Sequence, residues 1–215
     1  MTDASAPQSR DAYEFTTDWL RYNLANWRKI FSENRIETIL EIGSYEGRST
    51  CWMIETLGAH TDLEVSCVDS WSGGDEHQVG GRFESSMPDV ERRFDNNIAI
   101  ASAKATHKVT VKKYKNLSNL GLADLIAERR APYFDLVYVD GSHHAPDVLT
   151  DSIMAFQVLK VGGIMMFDDY LWRLDPHILK RPKIAIDSFL NVFQEKMLVM
   201  PDLTIRQLYA RKIAD

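Results

Sequence analysis

Five times along the chain a short, β-branched apolar run gives way to a longer stretch with helical spacing. The runs are "IETILEIG" (36–43), "LEVSCVDSW" (63–71), "KVTVKKYK" (108–115), "YFDLVYVDG" (133–141) and "GGIMMFDDY" (162–170). Between and after them lie "GRSTCWMIETLGAH", "DVERRFDNNIAIASA", "LSNLGLADLIAER", "PDVLTDSIMAFQVLK" and "KIAIDSFLNVFQEK". Alternation of strand and helix predicts a parallel sheet covered on both faces and wound by right-handed crossovers. "MLVM" and "LTIRQLYARKI" add a terminal strand pair. The expectation is a doubly wound α/β fold with a mostly parallel, seven-stranded sheet whose last strand is antiparallel. Ligands of such sheets bind beyond the carboxyl ends of the strands, where strand order reverses.

Length and charge narrow the classes. The chain has 215 residues, 45% hydrophobic and 26% charged, and a formal net charge of -6. One α/β domain over 13–215 with a disordered lead at 1–12 fits that length. No Lys/Arg run supplies the basic face that nucleic acid needs. No apolar run approaches the ~20 residues that span a bilayer, and no basic start precedes an apolar core as in a signal peptide. Two cysteines, Cys51 and Cys67, suit a reduced cytoplasmic setting better than a disulfide framework. Phe15 to Phe31 shows helical apolar spacing, and its Trp19, Tyr22 and Trp27 make it a candidate lid or homodimer surface.

The chemistry-bearing residues fall at the expected strand ends. "EIGSYEG" places Glu41 at the end of the first strand, Gly43 in the turn, then Ser44, and Gly47 at a helix start. This E-x-G-x-x-x-G spacing is neither the dinucleotide fingerprint nor a phosphate loop, though a helix N-terminus there favours an anionic group. The second strand ends in Asp69, followed by Ser70 and Trp71; a carboxylate there can accept both hydroxyls of a ribose. Ser118 opens the helix after the third strand, where it serves as a cap or a ligand contact. The fourth strand ends in Asp140 and the fifth in Asp168 and Asp169. Three carboxylates at neighbouring strand ends repel by several kcal/mol at ~4 Å, which a proton or a hard divalent cation relieves. His143 and His144 follow Asp140, and a histidine titrates where a general base is useful. Asp75, Glu76 and His77 sit in a glycine-rich loop (72–88) that could cover the site.

"LEIGSYEGRST" followed by "CVDSW" resembles the first two motifs of class I S-adenosylmethionine-dependent methyltransferases, and the likeness runs from about residue 36 to the C-terminus. It implies that Gly43 and Ser44 face the methionine part of the cofactor, that Asp69 holds the ribose, and that Ser70, Trp71 and Ser118 lie near the adenine. Glu41, Gly47 and Asp140 complete that cofactor set. "YVDGSHHAPD" with "GGIMMFDDY" resembles the metal-dependent O-methyltransferases. The catechol type carries an Asp-Asn pair after the fifth strand; the antibiotic-sugar type carries Asp-Asp-Tyr, as here. The resemblance implies Asp140, Asp168 and Asp169 as ligands of Mg²⁺ or another divalent cation, and a sugar diol or catechol-like small molecule as acceptor. His143 stands at the offset where the catechol type has its lysine base. Three competing readings remain at this point: a metal-independent methyltransferase with His143 as base, a nicotinamide-dependent oxidoreductase, and a non-catalytic module that binds S-adenosylmethionine.

Overall fold

The computed structural model describes residues 12–74, 77–129, 132–201, 203 and 206–215. Nearly all of the expected lead, together with Asp75 and Glu76, lies outside them. The elements run α1 (Leu24–Glu33), β1 (Thr38–Ile42), α2 (Arg48–Leu57), β2 (Leu63–Asp69), α3 (Met87–Lys104), β3 (Val109–Lys115) and α4 (Ser118–Arg129). They continue with β4 (Phe134–Val139), α5 (Ala145–Val158), β5 (Leu159–Phe167), α6 (Pro182–Val192), β6 (Met197–Val199) and β7 (Leu208–Lys212). Sheet order is β3-β2-β1-β4-β5-β7-β6. β1 to β5 are mutually parallel, and β7 runs antiparallel to both β5 and β6. The expected architecture is present.

The central strands are apolar on both faces because helices cover both. Ile39, Leu136, Tyr138, Ile164 and Met166 join one apolar cluster with Trp27 of α1, Met53 of α2 and Phe94 of α3. Their strand neighbours Leu40, Val137, Val139, Met165 and Phe167 join the other, with Leu125 of α4, Val148 of α5 and Phe189 of α6. This is the period-two alternation of a pleated strand used twice. Since β1 lies between β2 and β4, chain winding reverses at the β1–β4 boundary, and a crevice opens at their carboxyl ends.

Two expected elements differ. The helix expected from Phe15 begins only at Leu24, after a short 3-10 turn at Leu20–Tyr22. Upstream backbone donors find side chains instead: Glu14 N donates to Asn97 Oδ1 at 2.7 Å and Thr16 N to Glu46 Oε2 at 2.7 Å. A segment whose amides are satisfied that way has no need of helical bonds. The fifth strand starts at Leu159 rather than Gly162, with a register shift against β4 between Phe134 and Leu136. Gly162, at φ +89°, carries the chain through that irregularity.

Candidate active site

The turn after β1 is built by glycine. Gly43 has φ +82°, and a Cβ there would lie 2.1 Å from the Asp140 carbonyl oxygen and 2.6 Å from the Cα of Gly141. Only glycine lets the ends of β1 and β4 meet this closely. Gly47 also has a positive φ, and a Cβ on it would press 3.0 Å from the Phe94 ring.

Beneath the turn, Glu41 is fully buried and collects hydroxyls from Ser44 (2.8 Å), Ser49 and Thr50. Burial raises its pKa, and the three hydroxyls oppose that rise. Glu41 therefore ties β1 to the first turn of α2. Ser44 is 3% exposed, with its hydroxyl directed inward to Glu41. Ser49 and Thr50 were legible only as helix residues; their role follows from Glu41 being on the same face.

Asp69 stands at the end of β2, where a ribose acceptor is expected. Its Oδ2 accepts from the backbone N–H groups of Ser44 (2.8 Å) and Tyr45 (2.9 Å), and its Oδ1 from that of Trp71 (2.6 Å). The carboxylate thus fixes the glycine turn and the next loop together. Trp71 lies in the α1–α3 cluster, 4% exposed, with its ring centroid 4.8 Å from that of Phe94 and its Nε1 donating to Tyr45 O. The fold seats this side chain in the core. Ser70 is half-buried and shares a hydrogen bond with Ser72. The 72–88 loop returns to the turn through His77, whose ring stacks on Tyr45 at 5.1 Å.

Ser118 opens α4, and near it lies a residue that sequence reading passed over. Asp151 of α5 is 1% exposed, and neither of its carboxylate oxygens has a hydrogen bond of ordinary geometry. Burial pushes its pKa up to about 7, with Ser118 pulling it down and Asp147 adding to the rise. A carboxyl group raised in the folded state binds protons more tightly there than in the unfolded chain, so stability falls as pH rises from ~4 through about 7. Asp151→Asn is expected to raise Tm at pH 8 and to flatten its pH dependence, by an amount on the order of 2–4 kcal/mol. Thermal melts of both proteins from pH 5 to 8 check this.

The remaining carboxylates meet at the ends of β4 and β5. Asp140 N donates to Ile42 O and Asp168 N to Val139 O, so the two rims are held in register. The cleft there is lined by Asp140, His143, Asp168 and Asp169, with Pro182 and Ile186 of α6 as its apolar wall. Asp140 is exposed at the rim, and burial of its carboxyl end, followed by repulsion from Asp168 and Asp169, directs its pKa above the usual carboxylate range. Asp168 is pushed up to about 6 by burial and then by Asp169, against the hydrogen bonds it receives from Tyr138 and the Asp169 amide. Asp169 has φ +52°, a conformation in which a non-glycine residue is strained. Its Oδ2 lies 2.7 Å from His143 Nε2, and the His143 ring stacks on Trp172 at 4.3 Å between centroids. Trp172 was not legible as a site residue, since nothing in the 170–183 segment has an interpretable period. His144 caps the start of α5 with its backbone, its N–H donating to Ser142 Oγ at 3.0 Å.

The donor set fits a hard divalent cation in kind: the three carboxylates of Asp140, Asp168 and Asp169 line one cleft. In this arrangement Asp169 is turned to His143, and among the described residues no group of three or more His, Cys, Asp or Glu side chains is set to hold one ion.

Comparison with known proteins gives a family and a fold. The family described as "Methyltransferase domain" covers residues 40–170. No curated protein matches the chain by sequence. Solved structures with the same fold include a proposed O-methyltransferase from Klebsiella pneumoniae (16% identity, 93% of this chain and 83% of that one, TM-score 0.64). Another is the O-methyltransferase TomG from Streptomyces achromogenes, involved in tomaymycin synthesis and solved with S-adenosylmethionine (16%, 89% and 77%, 0.58). A third is MycE of the mycinamycin pathway, solved with Mg and S-adenosylhomocysteine (18%, 92% and 51%, 0.56). With more than half its length inside the family and its crevice built on Gly43, Asp69 and Asp140, the chain belongs to the methyltransferase-domain family of class I S-adenosylmethionine-dependent methyltransferases.

Proposed function

We propose that the protein is an O-methyltransferase of the natural-product type, that its acceptor is a small molecule with neighbouring hydroxyls, and that a divalent cation is held by Asp140, Asp168 and Asp169. The observation that carries the reading is that Asp140, Asp168 and Asp169 line one cleft at the carboxyl ends of β4 and β5. The solved neighbours that bind S-adenosylmethionine or its product support the cofactor, and the Mg of MycE supports the cation.

Methyl transfer from a sulfonium is an in-line displacement, so the acceptor oxygen must lie behind the methyl carbon and must lose its proton. A bound cation supplies an anchor for paired hydroxyls and lowers their pKa. The chain's own contribution is placement. Gly43 lets the end of β4 close against the turn after β1, and Asp69 fixes that turn through the Ser44 and Tyr45 amides. His143 takes the proton at Nδ1, because Nε2–H donates to Asp169 Oδ2; that bond and the face of Trp172 orient the ring. Positioning of this kind is worth ~7–11 kcal/mol when reacting atoms are well aligned.

The test is transfer of labelled methyl from S-adenosylmethionine to a panel of vicinal diols and catechols, with and without EDTA. Turnover that depends on added Mg²⁺ supports the reading, and full turnover in excess chelator removes the cation from it. The His143–Asp169 bond favours a second reading, in which His143 acts as base without a cation. His143→Ala is expected to lower kcat by roughly 10²–10³-fold with little change in the KM for S-adenosylmethionine. Loss of that magnitude in the presence of EDTA marks the second reading.

A further inference from the structure

A buried chain of polar groups runs from the N-terminal helix to the carboxylate rim. Trp27 Nε1 donates to Gln207 Oε1 at 2.7 Å, and Tyr209 OH donates to the same oxygen at 2.6 Å. Gln207 Nε2 donates to the Tyr138 hydroxyl oxygen at 3.2 Å, and Tyr138 OH donates to Asp168 Oδ2 at 2.6 Å. Trp27, Tyr138, Gln207 and Tyr209 are each at most 2% exposed.

The direction of this chain is fixed by chemistry. An indole nitrogen can only donate, so the oxygen end of the Gln207 amide must face Trp27. The amide NH₂ then has to face Tyr138, whose oxygen accepts one of its protons. The single phenolic proton of Tyr138 is left for Asp168. Topology supplies the meeting point: β5 pairs antiparallel with β7, Phe167 opposite Leu208, and one step further brings Gln207 opposite Asp168.

We propose that Tyr138 and Gln207 are positioning residues that hold Asp168 in the orientation needed for cation binding, with Trp27 setting the polarity of the relay. The inference rests on the cation reading above. A relay of buried, fully paired groups confines its terminal carboxylate to one rotamer, and losing such a partner typically costs 10–100-fold in metal affinity.

The experiment is a Mn²⁺ titration of the full-length protein, followed by electron paramagnetic resonance with S-adenosylhomocysteine present. It is paired with crystal structures of wild type and Tyr138→Phe. The phenylalanine fills the same space and deletes only the hydroxyl. The expected result is a Mn²⁺ Kd raised roughly tenfold, unchanged S-adenosylhomocysteine affinity and an Asp168 carboxylate no longer in its wild-type orientation. Equal Mn²⁺ affinity in the two proteins overturns the inference, as does a loss of S-adenosylhomocysteine affinity in step with Mn²⁺ affinity, which marks a merely structural role. Wild type that binds no Mn²⁺ removes the cation reading; the orientation of Asp168 in Tyr138→Phe then decides whether the relay positions it. Should Tyr138→Phe not fold, Gln207→Met carries the same readouts.

Discussion

Asp168→Ala is expected to lower methyl transfer to a diol or catechol probe by roughly 10³-fold or more, while S-adenosylmethionine still binds. Asp168 lies at the end of β5, with β4 between it and the glycine turn after β1, so removing it leaves that turn and its bonds to Asp69 in place. What it removes is one of the crowded carboxylates at the acceptor side. The apo protein should tolerate the change and gain from it at neutral pH. The Asp168 carboxyl is raised to about 6, so its ionisation above that pH weighs against the fold, and its loss relieves Asp140. Activity assays with saturating Mg²⁺, cofactor binding by calorimetry and a melt at pH 8 separate these effects. Lost cofactor binding would place Asp168 in the wrong half of the site, and full activity with cofactor still bound would remove it from the chemistry.

Gly43→Ala should be the most damaging single substitution for the fold and for cofactor binding together. The added methyl would sit 2.1 Å from the Asp140 carbonyl oxygen and 2.5 Å from its carbon, both backbone atoms that cannot swing aside. The residue would also be held at φ +82°. The strained conformation alone costs about 1–2 kcal/mol, and prying β1 from β4 adds more, so a loss of at least ~3 kcal/mol is expected. Gly162→Ala is the contrasting control. It has a similar φ of +89° but nothing within 4 Å of the added carbon, so it should cost only the backbone term. Denaturant unfolding of the two variants compares them directly; equal losses would mean that the close approach at Gly43 is not what demands glycine.

Much of this was legible because the relevant signals are local. Alternating β-branched runs and helical stretches are properties of neighbouring residues, and the central strands β4 and β5 are mostly apolar because both their faces are covered. Strand ends could be read the same way. Asp69, Asp140 and the Asp168–Asp169 pair sit where apolar runs stop, and that placement needs no knowledge of distant contacts. The glycine turn was legible too, since only a backbone that must turn and be approached closely requires Gly43.

Other features depended on residues far apart in sequence, whose meeting is set by packing. Nothing local says that the amides of residues 14 and 16 will be claimed by Asn97 and Glu46, so the helical spacing from Phe15 misled. That Trp71, which follows an acidic strand end, packs against Phe94 was likewise set by residues distant in sequence. Nor does anything local say that the Glu41 carboxylate will collect the hydroxyls of Ser44, Ser49 and Thr50. The partner of His143, the stack with Trp172 and the relay from Trp27 to Asp168 exist only once β4, β5 and β7 lie side by side. The amino-acid sequence by itself determined the architecture and the positions of the acidic strand ends, because periodicity and chain breaks are encoded residue by residue. The tertiary structure alone decided which way each polar side chain faces, because a buried hydrogen bond is chosen by whichever partner the packed sheet brings within reach.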